Sequence, residues 1–174
     1  MIINRGSVPE NIYRRKLAVT VVTACLLVIL YLIIWGFSAQ DADTSGSLSH
    51  MITEKVIELI DDIASKNWSD IVKAELAEYF EHPVRKLAHF SEYACMGLLV
   101  YIMLGQWVEN RRRLYIITIL WVFVSAAIDE FHQTFIPGRY GSFADVILDT
   151  SGAVVMLIIC RFIRSCSLRR SRSL

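Results

Sequence analysis

The sequence from Leu114 to Arg139 reads LYIITILWVFVSAAIDEFHQTFIPGR, an apolar run that ends in a group of ionisable residues. The run from Leu114 to Ala127 predicts a helix inside a membrane. Beyond it stand Asp129, Glu130 and Arg139, where lipid makes an unpaired charge cost a few kcal/mol. Charged residues at such a depth indicate a candidate functional site within a membrane domain.

Three further apolar runs complete the pattern. The chain has 174 residues, 55% of them hydrophobic, and a mean hydropathy of +0.45, which is more apolar than an ordinary soluble domain. Each run is long enough to cross a hydrocarbon layer of roughly 30 Å at about 1.5 Å per residue. The predicted spans are 17–37, 87–108, 114–131 and 143–163. We therefore predict an all-α polytopic membrane protein, with residues 1–174 forming one domain.

The basic residues give the predicted orientation. Twelve of the 18 Lys and Arg residues fall into three clusters that a four-span chain places on one side of the membrane. The clusters are Arg5, Arg14, Arg15 and Lys16; Arg111, Arg112 and Arg113; and Arg161, Arg164, Arg169, Arg170 and Arg172. The positive-inside rule then puts both termini in the cytoplasm. The loop 38–86, with ten acidic and five basic residues, faces outward.

The outer loop is predicted to contain two amphipathic helices. Apolar residues recur at helical spacing across 47–66, with charged residues between them. Ser69 is a candidate N-cap for a second helix that runs to Phe80, and Pro83 separates that helix from the next span. We expect the two helices to lie on the outer membrane surface, as a lid over the bundle or as a packing cap.

Polar residues form one stripe on each of the last three spans. The stripes are Lys86, His89, Tyr93 and Gly97; Ser125, Asp129 and Gln133; and Asp145, Asp149 and Gly152. Because these stripes lie at similar depth in the outer half of the membrane, we expect the helices to turn them toward one another. Pro137-Gly138 predicts a tight turn that holds Arg139 over the stripes, and Ser142 a cap for the last span.

The residue types suggest roles at this site. The candidate ligand-binding residues are Lys86, Tyr93, Gln133, Arg139 and Asp145, because a cation pair suits a phosphate or carboxylate. The candidate catalytic residues are Asp129 and Glu130 as general bases, with His89 as the acid partner. A metal site from His89, His132, Asp129 and Glu130 is a weaker alternative, since no metal-ligand spacing occurs. We expect neither a metal nor another cofactor.

The ordered motifs resemble those of the VanZ-like family of bacterial membrane proteins. They are Lys86-x-x-His89-Phe90-x-x-Tyr93, then Asp129-Glu130-x-x-Gln133-x-Phe135-x-Pro137-Gly138-Arg139-x-x-Ser142-x-x-Asp145, and Gly152. The resemblance covers about Leu17 to Ile163 and implies a small polytopic protein of the cytoplasmic membrane. It also implies a link to low-level resistance to the glycopeptide teicoplanin. Asp149, where the family commonly has asparagine, and Met156, where a second glycine is usual, depart from the pattern.

Several functions remain open on the sequence. The favoured hypothesis is a protein that binds or modifies a membrane lipid or another amphiphilic or lipid-linked molecule at the outer leaflet. The alternatives are a membrane-embedded enzyme acting on a cell-wall lipid precursor, a proton-coupled carrier, and a structural bundle locked by buried ion pairs. The carrier is disfavoured because no polar residue continues the stripes through the inner leaflet. Nucleic acid is not expected as a partner, since lipid and orientation explain the Arg-rich tail.

Overall fold

The computed structural model describes the backbone of residues 9–170, which form five α-helices and no β-strand. The helices are α1 (Glu10–Ser38), α2 (Ala42–Ala64), α3 (Asp70–Leu104), α4 (Arg111–Gln133) and α5 (Phe143–Arg170). The predicted all-α fold is confirmed for this part of the chain. Arg5 and Arg172, which belong to the predicted cytoplasmic clusters, lie outside the described residues.

The four predicted spans correspond to α1, α3, α4 and α5. Among the described residues, these four helices are long and apolar enough to cross a membrane. Their ends differ from the predicted ones: α1 begins at Glu10 rather than at residue 17, and α3 ends at Leu104 rather than at residue 108. Apolar content marks the part of a helix that suits lipid, whereas the helix itself continues through polar residues of good helix propensity.

Pro83 does not end a helix, so the predicted break between the outer helix and the second span is wrong. It lies inside α3, which is continuous over 35 residues, or roughly 50 Å. Proline lacks the N–H that would bond the carbonyl of Tyr79 and usually kinks or breaks a helix. Here both halves of α3 are held by neighbours, because α2, α1, α4 and α5 all pack against it. The predicted outer loop is therefore α2 together with the first turns of α3.

Polar caps start the two helices of this region. The Asp41 carboxylate accepts a hydrogen bond from the Thr44 N–H at 2.7 Å, so α2 begins at Ala42, five residues before the predicted start. Thr44 lowers the pKa of Asp41, first through its side chain and then through this backbone hydrogen bond. The predicted cap of α3 is confirmed, since Ser69 Oγ accepts from the Val72 N–H at 3.4 Å.

An acidic side chain closes the turn between α2 and α3. The Asp61 carboxylate lies 2.8 Å from Lys73 Nζ and accepts a hydrogen bond from the Trp68 N–H at 3.1 Å. These bonds lower the pKa of Asp61, with the Lys73 contact the larger cause. Ser65 and Asn67 carry φ values of 50° and 53°, which let the chain reverse direction within a few residues. The α2–α3 pair is therefore a helical hairpin with a defined tip.

Small residues at the inner ends of the polar stripes bring α3 and α5 into close contact. A Cβ atom on Gly97 would lie 2.7 Å from Ala153 Cβ, and one on Gly152 would overlap the Phe90 carbonyl oxygen. Neither position has room for a larger side chain without moving a helix. The close crossing fixes the stripe of α3 against the stripe of α5, and this contact determines where their polar side chains meet.

A tight turn leads from α4 toward α5. The Arg139 N–H donates to the Ile136 carbonyl at 3.1 Å, and Gly138 has a φ of +73°. Proline at the second position followed by glycine with positive φ is the pattern of a type II turn. The Ala42 N–H donates to the Pro137 carbonyl at 3.3 Å, so the turn is attached to the start of α2. The predicted turn is confirmed, and it carries Arg139 to the junction of α1 and α2.

Candidate functional site

A cavity of about 250 Å³ lies where α3, the end of α4, the turn after it and the start of α5 converge. It is lined by Ala42, His82, Arg85, Lys86, His89, Glu130, Gln133, Gly138, Arg139, Tyr140, Asp145, Leu148 and Asp149. Most of these side chains are polar or charged. We call this space the polar cavity.

Six of the eight predicted site residues line the polar cavity. They are Lys86, His89, Glu130, Gln133, Arg139 and Asp145. The other two, Asp129 and Tyr93, are each only 1% exposed and are absent from the cavity lining. Tyr93 belongs instead to the apolar core formed with residues such as Met96 and Val122. The three stripes therefore converge on the polar cavity, but Tyr93 and Asp129 are buried behind the residues that line it.

Lys86 and Asp145 form an ion pair across the cavity. Lys86 Nζ lies 2.5 Å from Asp145 Oδ1, which joins α3 to the first turn of α5. The two side chains keep 38% and 28% of their surface exposed, so the pair lies at the rim rather than in the core. The polar contact expected between the stripes is present. Each charge is largely neutralised by the other.

Arg139 is held by neutral oxygens. Its Nη1 donates to the Ser38 carbonyl at 3.1 Å and its Nη2 donates to Ser45 Oγ at 2.5 Å. Within the described residues its guanidinium forms no ion pair. Burial lowers the pKa of Arg139 while the Asp129 and Glu130 carboxylates oppose this shift, and a guanidinium stays protonated in proteins. An oriented cation without a carboxylate partner therefore stands in the cavity wall.

Gln133, which lines the polar cavity, links α4 to the end of α1. Its Nε2 donates to Asp129 Oδ2 at 3.0 Å and to Ser38 Oγ at 2.9 Å. The other oxygen, Asp129 Oδ1, is buried and has no hydrogen-bond partner among the described residues. Because Ser38 also receives the bond from Arg139, one residue at the end of α1 is contacted from both α4 and the turn. This network sets the position of the guanidinium.

Glu130 of α4 and His89 of α3 both line the cavity. Glu130 Oε2 accepts a hydrogen bond from the Ser142 N–H at 2.8 Å, which holds the start of α5 against α4. The Ser142 carbonyl accepts from the N–H groups of Asp145 and Val146, as the backbone does at the start of any helix. The side-chain cap predicted at Ser142 is not among the hydrogen bonds of the described residues, since Glu130 rather than Asp145 accepts from its N–H. His89 Nδ1 lies 3.5 Å from the carboxylate of Glu92 but is not placed to form a hydrogen bond with it.

His132, the fourth residue of the weaker metal hypothesis, points elsewhere. Its ring stacks on Trp35 with the centroids 5.4 Å apart and an angle of 9° between the planes. It is not part of the cavity lining. Across the described part of the chain, no group of three or more His, Cys, Asp or Glu side chains is arranged to hold a metal ion. The geometry gives that hypothesis no support.

Three acidic or basic residues of the lining were not predicted as site residues from the sequence: His82, Arg85 and Asp149. His82, Lys86 and His89 follow the same helical spacing, so the stripe on α3 starts one turn earlier than predicted. The expected break at Pro83 hid this continuation. Asp149 was visible in the stripe of α5, and it is 2% exposed.

A second cavity of about 160 Å³ lies on the other side of Arg139, between α2 and α3. Its lining is Phe37, Gln40, Ser45, Leu48, Ser49, Ile52, Val84, Arg85, Ala88, His89, Glu92 and Arg139. Three of these residues, Arg85, His89 and Arg139, also line the polar cavity. The other walls are mainly apolar or small. We call this space the α2–α3 cavity.

Comparison with known proteins identifies one family. A family model described as VanZ/LLP1 matches residues 23–164, which run from the middle of α1 to the last part of α5. No curated protein and no solved structure matches the chain.

Proposed function

Because the chain belongs to the VanZ/LLP1 family and has four helices able to cross a membrane, we propose that it binds an amphiphilic molecule. The polar cavity takes the anionic head group, and the apolar part of the ligand lies toward the α2–α3 cavity and the surrounding lipid. The single observation that carries the proposal is the state of Arg139. Its guanidinium lines both cavities, and among the side chains that the structure describes it has no carboxylate partner.

The partners of Arg139 leave its charge available to a ligand. Arg139 is partly buried, and a cation withdrawn from water is stabilised by an anion, whereas its two neutral oxygen partners provide only part of that compensation. Lys86 is already paired with Asp145, whereas Arg85 adds a second cation to the same wall. A guanidinium that is fixed in orientation suits a phosphate or carboxylate, which it can bind through two oxygens.

The size of the polar cavity limits what it encloses. Pockets that surround a drug-sized ligand measure roughly 300–1,000 Å³, and this cavity is about 250 Å³. It therefore suits a head group rather than a whole amphiphile. The α2–α3 cavity continues from it across Arg139 and includes Leu48, Ile52 and Val84. Apolar walls next to a cationic one are the arrangement that a lipid or an acylated molecule requires.

We place the polar cavity in the outer leaflet of the cytoplasmic membrane, with both termini in the cytoplasm. The support is the charge distribution: the Arg111–Arg113 cluster begins α4, and the cavity lies at the opposite end of that helix. The same site supports a contribution to glycopeptide resistance of the teicoplanin type, because an acylated glycopeptide is an amphiphile.

Cysteine accessibility tests the orientation. In a background without the four native cysteines, Lys66→Cys at the α2–α3 tip should react with a membrane-impermeant maleimide added to intact cells. Arg112→Cys should react only after the cells are permeabilised. Labelling of Arg112→Cys in intact cells would contradict the orientation and move the site to the cytoplasmic leaflet.

Calorimetric titration tests the binding itself. The purified protein in detergent is titrated with dihexanoyl phosphatidylglycerol, a short-chain lipid that carries a phosphate and dissolves as monomers. We expect saturable binding with one site per chain, and we expect free inorganic phosphate to bind more weakly because it lacks the apolar part. An absence of lipid binding by the wild-type protein would overturn the proposed function.

A second candidate function is a membrane-embedded enzyme. The observation that favours it is the presence of His89 and Glu130 in the lining of the same cavity, since an acid and a base next to a bound ester or phosphoester can transfer protons. Asp129, the other predicted base, is buried behind the wall and does not reach the cavity. This alternative would therefore depend on Glu130 alone as the base.

A further inference from the structure

The polar cavity has walls of opposite charge. α3 and the turn contribute its basic residues, and α4 and α5 contribute its acidic ones. The basic residues are His82, Arg85, Lys86, His89 and Arg139, and the acidic residues are Glu130, Asp145 and Asp149. If every charge were paired across the cavity, this arrangement would be a closed ion-pair network and would not imply a ligand.

The pairing is incomplete on both walls. Lys86 and Asp145 neutralise each other, and Arg139 is bound to neutral oxygens only. On the acidic wall, Glu130 accepts a backbone hydrogen bond from Ser142. Asp149 is 2% exposed, lines the cavity, and forms neither an ion pair nor a side-chain hydrogen bond within the described residues.

Asp149 is therefore a buried acidic side chain that lines the cavity but, within the described residues, is paired with none of the cavity's basic residues. Such a group is costly unless a positive charge or a proton compensates it. A cation supplied by the ligand would do so through a charge-assisted hydrogen bond. The Lys86 ammonium also lines the cavity, but it is paired with Asp145. Asp145 lies one turn before Asp149 on the same face of α5.

We propose that the head group bound in the polar cavity is zwitterionic, with its phosphate or carboxylate at Arg139 and its ammonium at Asp149. This inference rests on the proposed function and names the class of ligand. An amino phospholipid has this chemistry, and so does a water-soluble phosphoryl-amine. A purely anionic head group would bring a second negative charge close to Asp149 and would be disfavoured.

Titration with two lipids of equal chain length tests the assignment. The wild-type protein in detergent is titrated with dihexanoyl phosphatidylethanolamine and with dihexanoyl phosphatidylglycerol, which differ in whether the head group carries an ammonium. We expect the ethanolamine lipid to bind about tenfold more tightly, as a charge-assisted hydrogen bond typically contributes. O-phosphoethanolamine, which has no chains, should bind more weakly than the lipid. If O-phosphoethanolamine bound as tightly as the ethanolamine lipid, the head-group class would stand and its source would be a water-soluble molecule.

Variants at position 149 assign the preference to this carboxylate. Asp149→Asn should remove the preference for the ethanolamine lipid, because the ammonium loses its charged partner and the glycerol lipid is no longer repelled by a carboxylate. Asp149→Glu should keep the preference because it keeps the charge. Asp62→Asn, at an exposed position on α2, is the matched control and should behave as the wild type.

The outcomes separate the two proposals. Binding of both lipids with equal affinity, or a preference for the glycerol lipid, would overturn the zwitterionic assignment and leave the proposed function in place. A preference that persists in Asp149→Asn would also overturn it. Failure of the wild type to bind either lipid would overturn both. If Asp149→Asn did not fold, the affinities of the wild-type protein for the two lipids would still decide whether the head group is zwitterionic.

Discussion

Replacement of Arg139 by lysine should weaken the binding of dihexanoyl phosphatidylglycerol by about tenfold without lowering the amount of protein in the membrane. Lysine keeps the positive charge but cannot bond Ser38, Ser45 and a ligand anion together, as the planar guanidinium can. Calorimetry measures the affinity, and quantitative immunoblotting of membranes measures the amount of protein. In a Gram-positive host, any protection against teicoplanin should fall together with the affinity.

The alanine variant separates binding from stability. Arg139→Ala leaves the Ser38 carbonyl without the bond that ties the end of α1 to the turn, so we expect both affinity and folded protein to fall. Arg112→Lys, an exposed change at the other end of α4, is the matched control and should alter neither. If Arg139→Lys kept full affinity while Arg139→Ala lost folded protein, Arg139 would have only a structural role and the proposed function would lose its main support.

The second large effect concerns the ion pair between Lys86 and Asp145. Lys86→Met and Asp145→Asn should each lower the free energy of unfolding by about 1–3 kcal/mol, less than for a fully buried pair because both side chains are part-exposed. The double variant Lys86→Met/Asp145→Asn should recover much of the lost free energy of unfolding, because it leaves no charge without its partner. Unfolding in detergent monitored by circular dichroism gives the coupling energy of the double-mutant cycle.

A surface pair on α1 serves as the control for that cycle. Arg14 Nη2 lies 2.7 Å from Glu10 Oε1, but the two side chains are 78% and 77% exposed. Exposed pairs of this kind contribute roughly 0.2–1 kcal/mol, so Arg14→Met and Glu10→Gln should have small and nearly additive effects. If the Lys86 and Asp145 variants were equally additive, the pair would not hold α3 to α5.

The sequence predicts most of the architecture because membrane helices follow simple physical rules. Apolar length identified the four helices able to span a membrane, hydrogen-bonding side chains identified Ser69 as a cap, and Pro137-Gly138 identified the turn. The error at Pro83 came from applying a local penalty without the tertiary contacts that outweigh it. Packing of α2 and α5 along α3 is not visible in the local sequence.

The site was predictable by helix face but not by depth or partner. Helical periodicity predicted that Lys86 and Asp145 lie at the same site, and in the structure they form an ion pair. The same periodicity could not show that Asp129 and Tyr93 lie behind the cavity wall. It also could not show that Arg139 bonds Ser38 and Ser45 rather than a carboxylate, because α1 and α2 are distant from Arg139 in sequence.

An experimentally determined structure of the protein in lipid nanodiscs that contain phosphatidylethanolamine and phosphatidylglycerol tests the central claim most directly. We predict lipid density in the polar cavity, with the phosphate within hydrogen-bond distance of the Arg139 guanidinium and the chains extending past α2 and α3. A cavity filled only by water, with Arg139 turned onto a protein carboxylate such as Glu130, would contradict the account. That result would instead identify the polar residues as a structural network within the helix bundle.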